Sequence, residues 1–149
     1  MARCHPRTRP PQPQSKVKTA IDTSVLYSIF QGEPGHRAWM EILFQARAAG
    51  QLTICDVAYA EISPAFSTQA ELDQKLALLG IAYEPIAPAA AHLAGTIFRQ
   101  NRDAGGPRGR MIPDFLIGAH ALLQADRLAS IDNGYLRQQF KRLKVLTPP

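Results

Sequence analysis

Four acidic residues at distant points of the sequence have the side-chain type that holds a divalent metal ion. Asp22 and Asp132 each follow a short apolar run that is typical of a buried strand. Because the carboxyl ends of parallel strands meet at one edge of a sheet, both carboxylates are expected at that edge, where open α/β sheets bind ligands. Glu61 and Asp114 fall on helix faces that apolar neighbours three and four residues away predict to pack inward.

Convergence of these four carboxylates would define a particular chemistry. Their mutual repulsion raises their pKa values unless a divalent cation lies between them. Mg²⁺, or Mn²⁺ in its place, prefers oxygen ligands and keeps several water molecules. Such an ion activates water for attack on a phosphodiester and screens the charge that builds up on phosphorus. The pattern therefore predicts a metal-dependent nuclease that requires no histidine or serine nucleophile.

Each acid also has a simpler structural explanation. Asp22 can cap a helix, Asp114 can face a helix dipole from the first turn, and Asp132 can serve as a turn residue. Glu61 is harder to explain in this way, because an unpaired buried charge costs several kcal/mol.

The charge is unevenly distributed along the 149 residues, whose formal net charge is +5. Residues 1–18 contain basic groups and no acid, while the remainder carries as many basic as acidic groups. We expect residues 1–16, which are also rich in proline, to be a disordered tail, and residues 17–149 to form one domain. The tail has three alternative interpretations: a solvated leader, an artefact of an upstream start site, or an arm that contacts RNA. A further hypothesis is that translation begins near Val17.

The chain shows no apolar run of signal-peptide or membrane-spanning length, so we expect a soluble cytoplasmic protein that binds no membrane. The two cysteines, Cys4 and Cys55, have neither a metal-ligand spacing nor a disulfide pattern. Cys55 is expected in the core, and so is Trp39.

Short β-rich runs alternate with longer helical patterns, which predicts a three-layer α/β/α domain with a mainly parallel central sheet. Strands are predicted at residues 17–21, 52–55, 81–86 and 128–131, with an edge strand at 144–146. Helices are predicted after Asp22, at 36–49, from 57 to about 66 with Asp56 as the N-cap, at 69–79, along the apolar stripe at 90–98, at 113–124 and near 135–140. Residues 103–110, rich in glycine, are expected to form a loop.

The acids lie in motifs that resemble those of a known family. These motifs are Ile21-Asp22-Thr23-Ser24-Val25-Leu26, Ala60-Glu61-Ile62, Pro113-Asp114-Phe115-Leu116-Ile117-Gly118-Ala119-His120-Ala121 and Ser130-Ile131-Asp132. Together they resemble the PIN-domain ribonucleases over nearly the whole domain. The pattern from Asp126 through Phe140 to Val145 resembles the VapC toxins of type II toxin-antitoxin systems in particular.

This resemblance implies a PIN-like fold, Mg²⁺-dependent cleavage of RNA, and a homodimer. It also implies inhibition by a cognate VapB-like antitoxin whose peptide covers the acids. Asp22, Glu61 and Asp114 match the metal-site acids of the family, and Asp132 matches a fourth acid that contacts metal directly or through water. Ser130 stands where the family often has threonine and keeps the hydroxyl donor. Ser24 is assigned a supporting role.

Other residues near these motifs have functional or structural interpretations. Arg108 and Arg110 precede Asp114 in the glycine-rich loop and could contact substrate phosphates, or be solvated. Tyr59 could stack a base, although core packing is the simpler reading. His120 is interpreted as a helix-flank residue, and Gly118 as leaving room beside Asp114.

Competing functions make different demands on the same positions. A phosphotransfer enzyme of the haloacid-dehalogenase kind needs a second acid two residues after Asp22, where Ser24 stands. A non-catalytic module, either receiver-like or antitoxin-sequestering, would bind Mg²⁺ at the acids without cutting anything. Receiver domains need paired acids and a lysine that do not appear at the matching places. An RNA-processing PIN nuclease without an antitoxin stays open, because the motifs do not distinguish it from a toxin.

Overall fold

The computed structural model describes residues 16–106, 112–131 and 134–148. Its strands are β1 (Val17–Ile21), β2 (Gly50–Ile54), β3 (Ile81–Tyr83), β4 (Arg127–Ala129) and β5 (Val145–Leu146). Its helices are α1 (Thr23–Phe30), α2 (His36–Ala49), α3 (Asp56–Ile62), α4 (Gln69–Leu79), α5 (Pro88–Asp103), α6 (Pro113–Gln124) and α7 (Tyr135–Gln139), with a 3₁₀ turn at Ser63–Ala65.

The strands form one parallel sheet in the order β3-β2-β1-β4-β5. Thr19 in the middle of β1 is in register with Leu52 on one side and with Arg127 on the other. Parallel strands need crossover connections, and these crossovers place helices on both faces of the sheet. Helices α1 and α2 pack together, with α2 against β1 and β2, while α5 and α6 pack together, with α6 against β1 and β4. The predicted three-layer α/β/α fold is confirmed.

Apolar side chains from every layer form one core. Trp39 and Leu43 on α2 are buried against the sheet, and Cys55 is buried at the end of β2. Burial also raises the pKa of the Cys55 thiol, as expected for a cysteine that serves as a small apolar residue. The predicted core positions of Trp39 and Cys55 are therefore confirmed.

Several predicted element boundaries were wrong, and prolines explain two of them. The helix predicted to reach residue 66 ends at Ile62, followed by the 3₁₀ turn, because Pro64 has no N–H to continue the helical ladder. The strand predicted to reach residue 86 ends at Tyr83, and Pro85 follows shortly. Cys55, and not Asp56, occupies the N-cap of α3.

No helix in the described part of the chain is both long and apolar enough to cross a membrane. Residues 1–15 of the predicted tail and residues 107–110 of the predicted loop lie outside the described residues.

Candidate metal centre

Three of the four predicted acids come together at the carboxyl edge of the sheet. Asp22 directly follows β1, Glu61 lies in the last turn of α3, and Asp114 lies in the first turn of α6. Helix α3 contacts both α1 and α6, so the three positions lie on elements that pack together. We call the surface at Asp22, Glu61 and Asp114 the groove. The fourth acid, Asp132, lies outside the described residues.

The strand order explains why this edge is suited to bind a ligand. From β1 the chain goes to β2 on one side, and β4 lies on the other side of β1. In an open parallel sheet, the crevice forms where successive connections leave on opposite sides of a strand, outside the carboxyl ends. Asp22 stands at that point, so its position follows from the topology.

Asp22 is buried, and two serine hydroxyls hold its carboxylate. Its Oδ2 accepts hydrogen bonds from Ser24 Oγ at 2.8 Å and from Ser130 Oγ at 2.7 Å. Although Asp22 occupies the N-cap position of α1, its side chain makes no capping hydrogen bond. The reading of Asp22 as a side-chain helix cap is therefore wrong. The same two contacts explain how Ser24 and Ser130 support this acid.

Glu61 was predicted to face inward, but its side chain is exposed to the groove. The apolar neighbour at i+4, Ala65, lies beyond the end of α3 and is itself exposed, so the buried face does not continue past Glu61. Its Oε1 accepts a hydrogen bond from Thr23 Oγ1 at 3.0 Å. Partial desolvation is the largest cause that raises the pKa of Glu61; the Thr23 hydrogen bond lowers it, and the negative charges of Asp114 and Asp22 raise it further.

This coupling shows that the negative charges of Asp114 and Asp22 act on the Glu61 carboxylate. Neighbouring carboxylates of this kind are the donor set that a hard divalent cation neutralises. Within residues 16–106, 112–131 and 134–148, however, no three His, Cys, Asp or Glu side chains are arranged closely enough to hold an ion as they stand. The donor chemistry therefore fits a divalent cation, although the described residues alone do not assemble a complete ligand set.

Asp114 lies on the face of α6 that packs inward, as predicted. Its side chain is half-buried, and Ile117 and Ala121 on the same face are buried. Gly118 does not leave room beside Asp114, contrary to the prediction. A Cβ at Gly118 would lie 2.6 Å from Cε2 of Phe140, so the glycine accommodates that buried ring.

His120 was read as a helix-flank residue, and this reading was wrong. Its side chain is 1% exposed, and its Nε2 lies 2.9 Å from Glu84 Oε1. Burial is the largest cause that lowers the pKa of His120. The apolar neighbours of His120 in sequence indicate burial, but a partner 36 residues away gives no local signal.

Two groove residues were not assigned a side-chain contact with Glu61 from the sequence. The hydroxyl of Thr23 contacts the Glu61 carboxylate, and Tyr27 Oη donates to the Glu61 carbonyl oxygen at 2.9 Å. Both residues could have been found from the sequence by their positions one and five residues after Asp22, because the start of α1 must lie beside that acid.

The remaining predicted substrate contacts are only partly described. Tyr59 is half-buried, packs against the core and lies edge-on to Tyr83, with its hydroxyl donating to Asp73 at 2.7 Å. Arg108 and Arg110 lie outside the described residues, so their contact with phosphates stays a prediction.

Comparison with solved structures shows the same fold in chains from toxin-antitoxin assemblies. VapBC2 from Rickettsia felis, bound to a DNA fragment from its promoter, gives a TM-score of 0.69 at 13% identity over 89% of this chain and 100% of that one. VapBC-1 from nontypeable Haemophilus influenzae gives 0.64 at 21% identity, covering 87% and 97%. A toxin-antitoxin complex from Klebsiella pneumoniae gives 0.61 at 21% identity, covering 88% and 98%.

Among curated proteins no match is found. The family model of the PIN domain, by contrast, matches residues 19–141, which include all four predicted acids. The chain therefore belongs to the PIN domain family.

Proposed function

We propose that this protein is a Mg²⁺-dependent endoribonuclease, with Mn²⁺ able to replace Mg²⁺, and that it is the toxin of a VapBC-type toxin-antitoxin pair. The observation that carries the proposal is the electrostatically coupled set of Asp22, Glu61 and Asp114 at the carboxyl edge of a PIN-domain sheet. By the same family resemblance, we propose that the protein is a homodimer that acts on RNA in the cytoplasm.

In this proposal the cation is held by Asp22, Glu61 and Asp114, with Asp132 as the fourth acid. A bound cation supplies positive charge that offsets the charge on the scissile phosphate, and it lowers the pKa of water. The protein's own contribution is to fix the acids before the ion binds. Ser24 and Ser130 hold Asp22, because both hydroxyls donate hydrogen bonds to its Oδ2.

The contact between Thr23 and Glu61 has a similar purpose. A hydroxyl donor favours the charged form of a carboxylate, so Thr23 offsets part of the pKa rise that burial and neighbouring acids impose on Glu61. The ionised form is the one that ligates a metal. Substrate phosphates, which the acids repel, would be contacted by Arg108 and Arg110.

A separate apolar cavity between α2 and α4, distinct from the groove at the acids, supports the proposed antitoxin partner. Phe44 is 71% exposed and Leu78 is 68% exposed, and with Met40 and Arg47 they line a cavity of about 110 Å³. Large apolar side chains clustered on a surface are typical of an interaction site. We propose that an antitoxin segment with apolar side chains covers this apolar cavity. The segment would belong to the same peptide that reaches the acids.

The test is cleavage of a mixed, structured RNA pool by the purified, antitoxin-free protein in Mg²⁺, in Mn²⁺ and in EDTA. Asp114→Asn is assayed alongside, with Asp103→Asn as the matched control, because Asp103 is an exposed acid at the end of α5. We expect Asp114→Asn to fold normally and to lose cleavage by about 100-fold or more, since even the outer partners of metal ligands are worth 10–100-fold. The control should cleave like the wild type.

Three outcomes separate the candidate functions. Cleavage in Mg²⁺ that EDTA and Asp114→Asn both abolish supports the nuclease. No cleavage by well-folded protein favours a non-catalytic Mg²⁺-binding module. Cleavage that no product of a neighbouring gene inhibits favours an RNA-processing PIN nuclease without an antitoxin.

A further inference from the structure

The four residues 84–87, which connect β3 to α5, form backbone hydrogen bonds to three separate elements. We call them the β3–α5 connector. Glu84 N donates to the carbonyl oxygen of Ile54 at 2.8 Å, which ties the connector to the end of β2. Ile86 N donates to Asp56 Oδ1 at 3.3 Å, which ties it to the start of α3.

The next residue of the connector reaches α6. Ala87 N donates to Gln124 Oε1 at 2.8 Å, and Gln124 Nε2 donates to the carbonyl oxygen of Pro85 at 3.1 Å. Gln124 is the last residue of α6. The Gln124 side chain therefore hydrogen-bonds one backbone N–H and one carbonyl oxygen of the connector, where the chain leaves the sheet.

The carboxylate of Glu84 makes a second set of contacts, with β1 and α6. It pairs with Lys18 Nζ from β1, and its Oε1 lies 2.9 Å from His120 Nε2 on α6. Because an ionised carboxylate can only accept, Nε2 of His120 carries the hydrogen in this contact. Burial would raise the pKa of Glu84, but the contacts with Lys18 and His120 outweigh it and lower the pKa.

The connector and the Glu84 side chain contact four elements, and three of these elements carry or directly precede one of the acids. Asp22 directly follows β1, α3 carries Glu61, and α6 carries Asp114. We propose that Glu84 and His120 are positioning residues that set the mutual spacing of these three carboxylates. The inference rests on the proposed function, in that it assigns the spacing to metal binding.

The demands of the ion give this spacing its importance. Mg²⁺ requires near-octahedral geometry with oxygen atoms at about 2.0–2.1 Å. Displacement of a reacting group by about 1 Å costs about 100-fold in rate. His120 lies six residues after Asp114 in the same helix, so a small rotation of α6 about the His120 contact moves Asp114 relative to Asp22.

The experiment compares three variants for Mn²⁺ binding, with free Mn²⁺ followed by electron paramagnetic resonance. His120→Leu removes the contact with Glu84. His120→Gln keeps an N–H donor at nearly the same position. Leu43→Ala is the control for general loss of stability, because Leu43 is a buried core residue of α2, on a different helix from the Glu84–His120 contact. Hydrogen exchange at the backbone amides of α3 and α6 is measured on the same samples.

We expect His120→Leu to weaken Mn²⁺ affinity by about 10-fold or more and to speed exchange in α3 and the first turn of α6. His120→Gln should restore both, and Leu43→Ala should leave Mn²⁺ affinity unchanged. Unchanged affinity in His120→Leu, or an equal loss in Leu43→Ala, would overturn the positioning role.

Failure of the proposed function has a different signature. If the wild-type protein binds no Mn²⁺, the metal site itself is wrong, and hydrogen exchange alone decides the inference. In that case, unchanged exchange in α3 and α6 of His120→Leu shows that the Glu84 contact does not set their positions.

Discussion

The acids of the groove depend on neighbouring hydroxyl groups for their position. Ser24 and Ser130 both donate to Asp22 Oδ2, although 106 residues separate them in the sequence and one follows β1 while the other follows β4. Thr23 donates to Glu61 across the interface between α1 and α3. The hydroxyls therefore join side chains of adjacent elements, and each aligns an oxygen atom of an acid before any ligand arrives.

At this scale, Thr23→Val provides a sharp test. Valine has nearly the shape of threonine but cannot donate to Glu61, so we expect the fold to be kept and cleavage to fall by about 10- to 100-fold, the usual cost of losing a partner of a metal ligand. Thr23→Ser is the matched control, because it keeps the hydroxyl. Cleavage rates and thermal unfolding of both variants check this. A valine variant that cleaves like the wild type would show that the hydroxyl has no role in the site.

The sequence predicted the acids better than their surroundings. Asp22 and Asp114 stand beside clear signals, a strand end and a proline at the start of a helix, so their positions could be predicted from local patterns. Glu61 was predicted on the correct helix but on a buried face, because the apolar Ala65 was counted on that face although it lies beyond α3 and is exposed. The metal-site role of all four acids stays a prediction until binding is measured.

At the scale of elements, α6 has more buried residues than any other helix in the described part of the chain. Its middle is buried on several sides, and Gly118 lies against the ring of Phe140, which follows α7. A methyl group at this position would meet two ring atoms at less than 3.0 Å. The glycine is therefore required by the packing of Phe140 on α6, whereas its helical backbone does not require it.

A pair of glycine substitutions tests this packing. Gly118→Ala should destabilise the protein by about 1–3 kcal/mol, because overpacking a core forces neighbouring groups to move. Gly95→Ala on α5 should stabilise it by up to about 1 kcal/mol, since nothing lies within 4 Å of the new methyl group and alanine favours helices. Urea unfolding at a single pH measures both values. If the two variants shifted stability in the same direction, the contact with Phe140 would not explain Gly118.

Element types followed from sequence patterns where the pattern was long. The helices at His36–Ala49, Gln69–Leu79 and Pro113–Gln124 match their predicted limits, because each has a clear apolar stripe together with a proline or glycine at one end. The predicted limits of short strands were less accurate. Strands β3 and β4 have three residues each, and their limits depend on pairing with strands far away in sequence. Strand ends are set by tertiary contacts that no local window contains.

At the scale of the whole molecule, the contacts that join the layers were the least predictable. The pairing of Lys18, Glu84 and His120 brings together residues that lie 66 and 36 positions apart. From sequence each looks like an ordinary surface charge or helix residue, since their contacts form only once the helices are packed. The buried His120 also gives the molecule a dependence on pH that the composition does not reveal.

The pH dependence has a definite sign. Burial and the positive charge of Lys18 lower the pKa of His120, while Glu84 and Asp56 oppose this shift, and the net pKa lies below its usual value of 6.5. The unfolded chain therefore binds a proton at a pH where the folded chain does not. By linkage, stability is full above pH 6.5 and is lost as the pH falls below this value towards the lower folded pKa. Glu84, whose pKa lies below its usual 4.5, contributes only at still lower pH.

We therefore expect the free energy of unfolding of the wild-type protein to decline between about pH 7 and pH 5, and to decline less in His120→Gln, which keeps the donor to Glu84 but cannot take up a proton. Urea unfolding in EDTA across this range measures the effect without any contribution from metal binding. The difference between the two curves should be constant above pH 6.5 and should change below it, where only the wild type loses stability through residue 120. Parallel curves across the range would show that His120 does not titrate as a buried neutral side chain, and the contact with Glu84 would then join two charged groups.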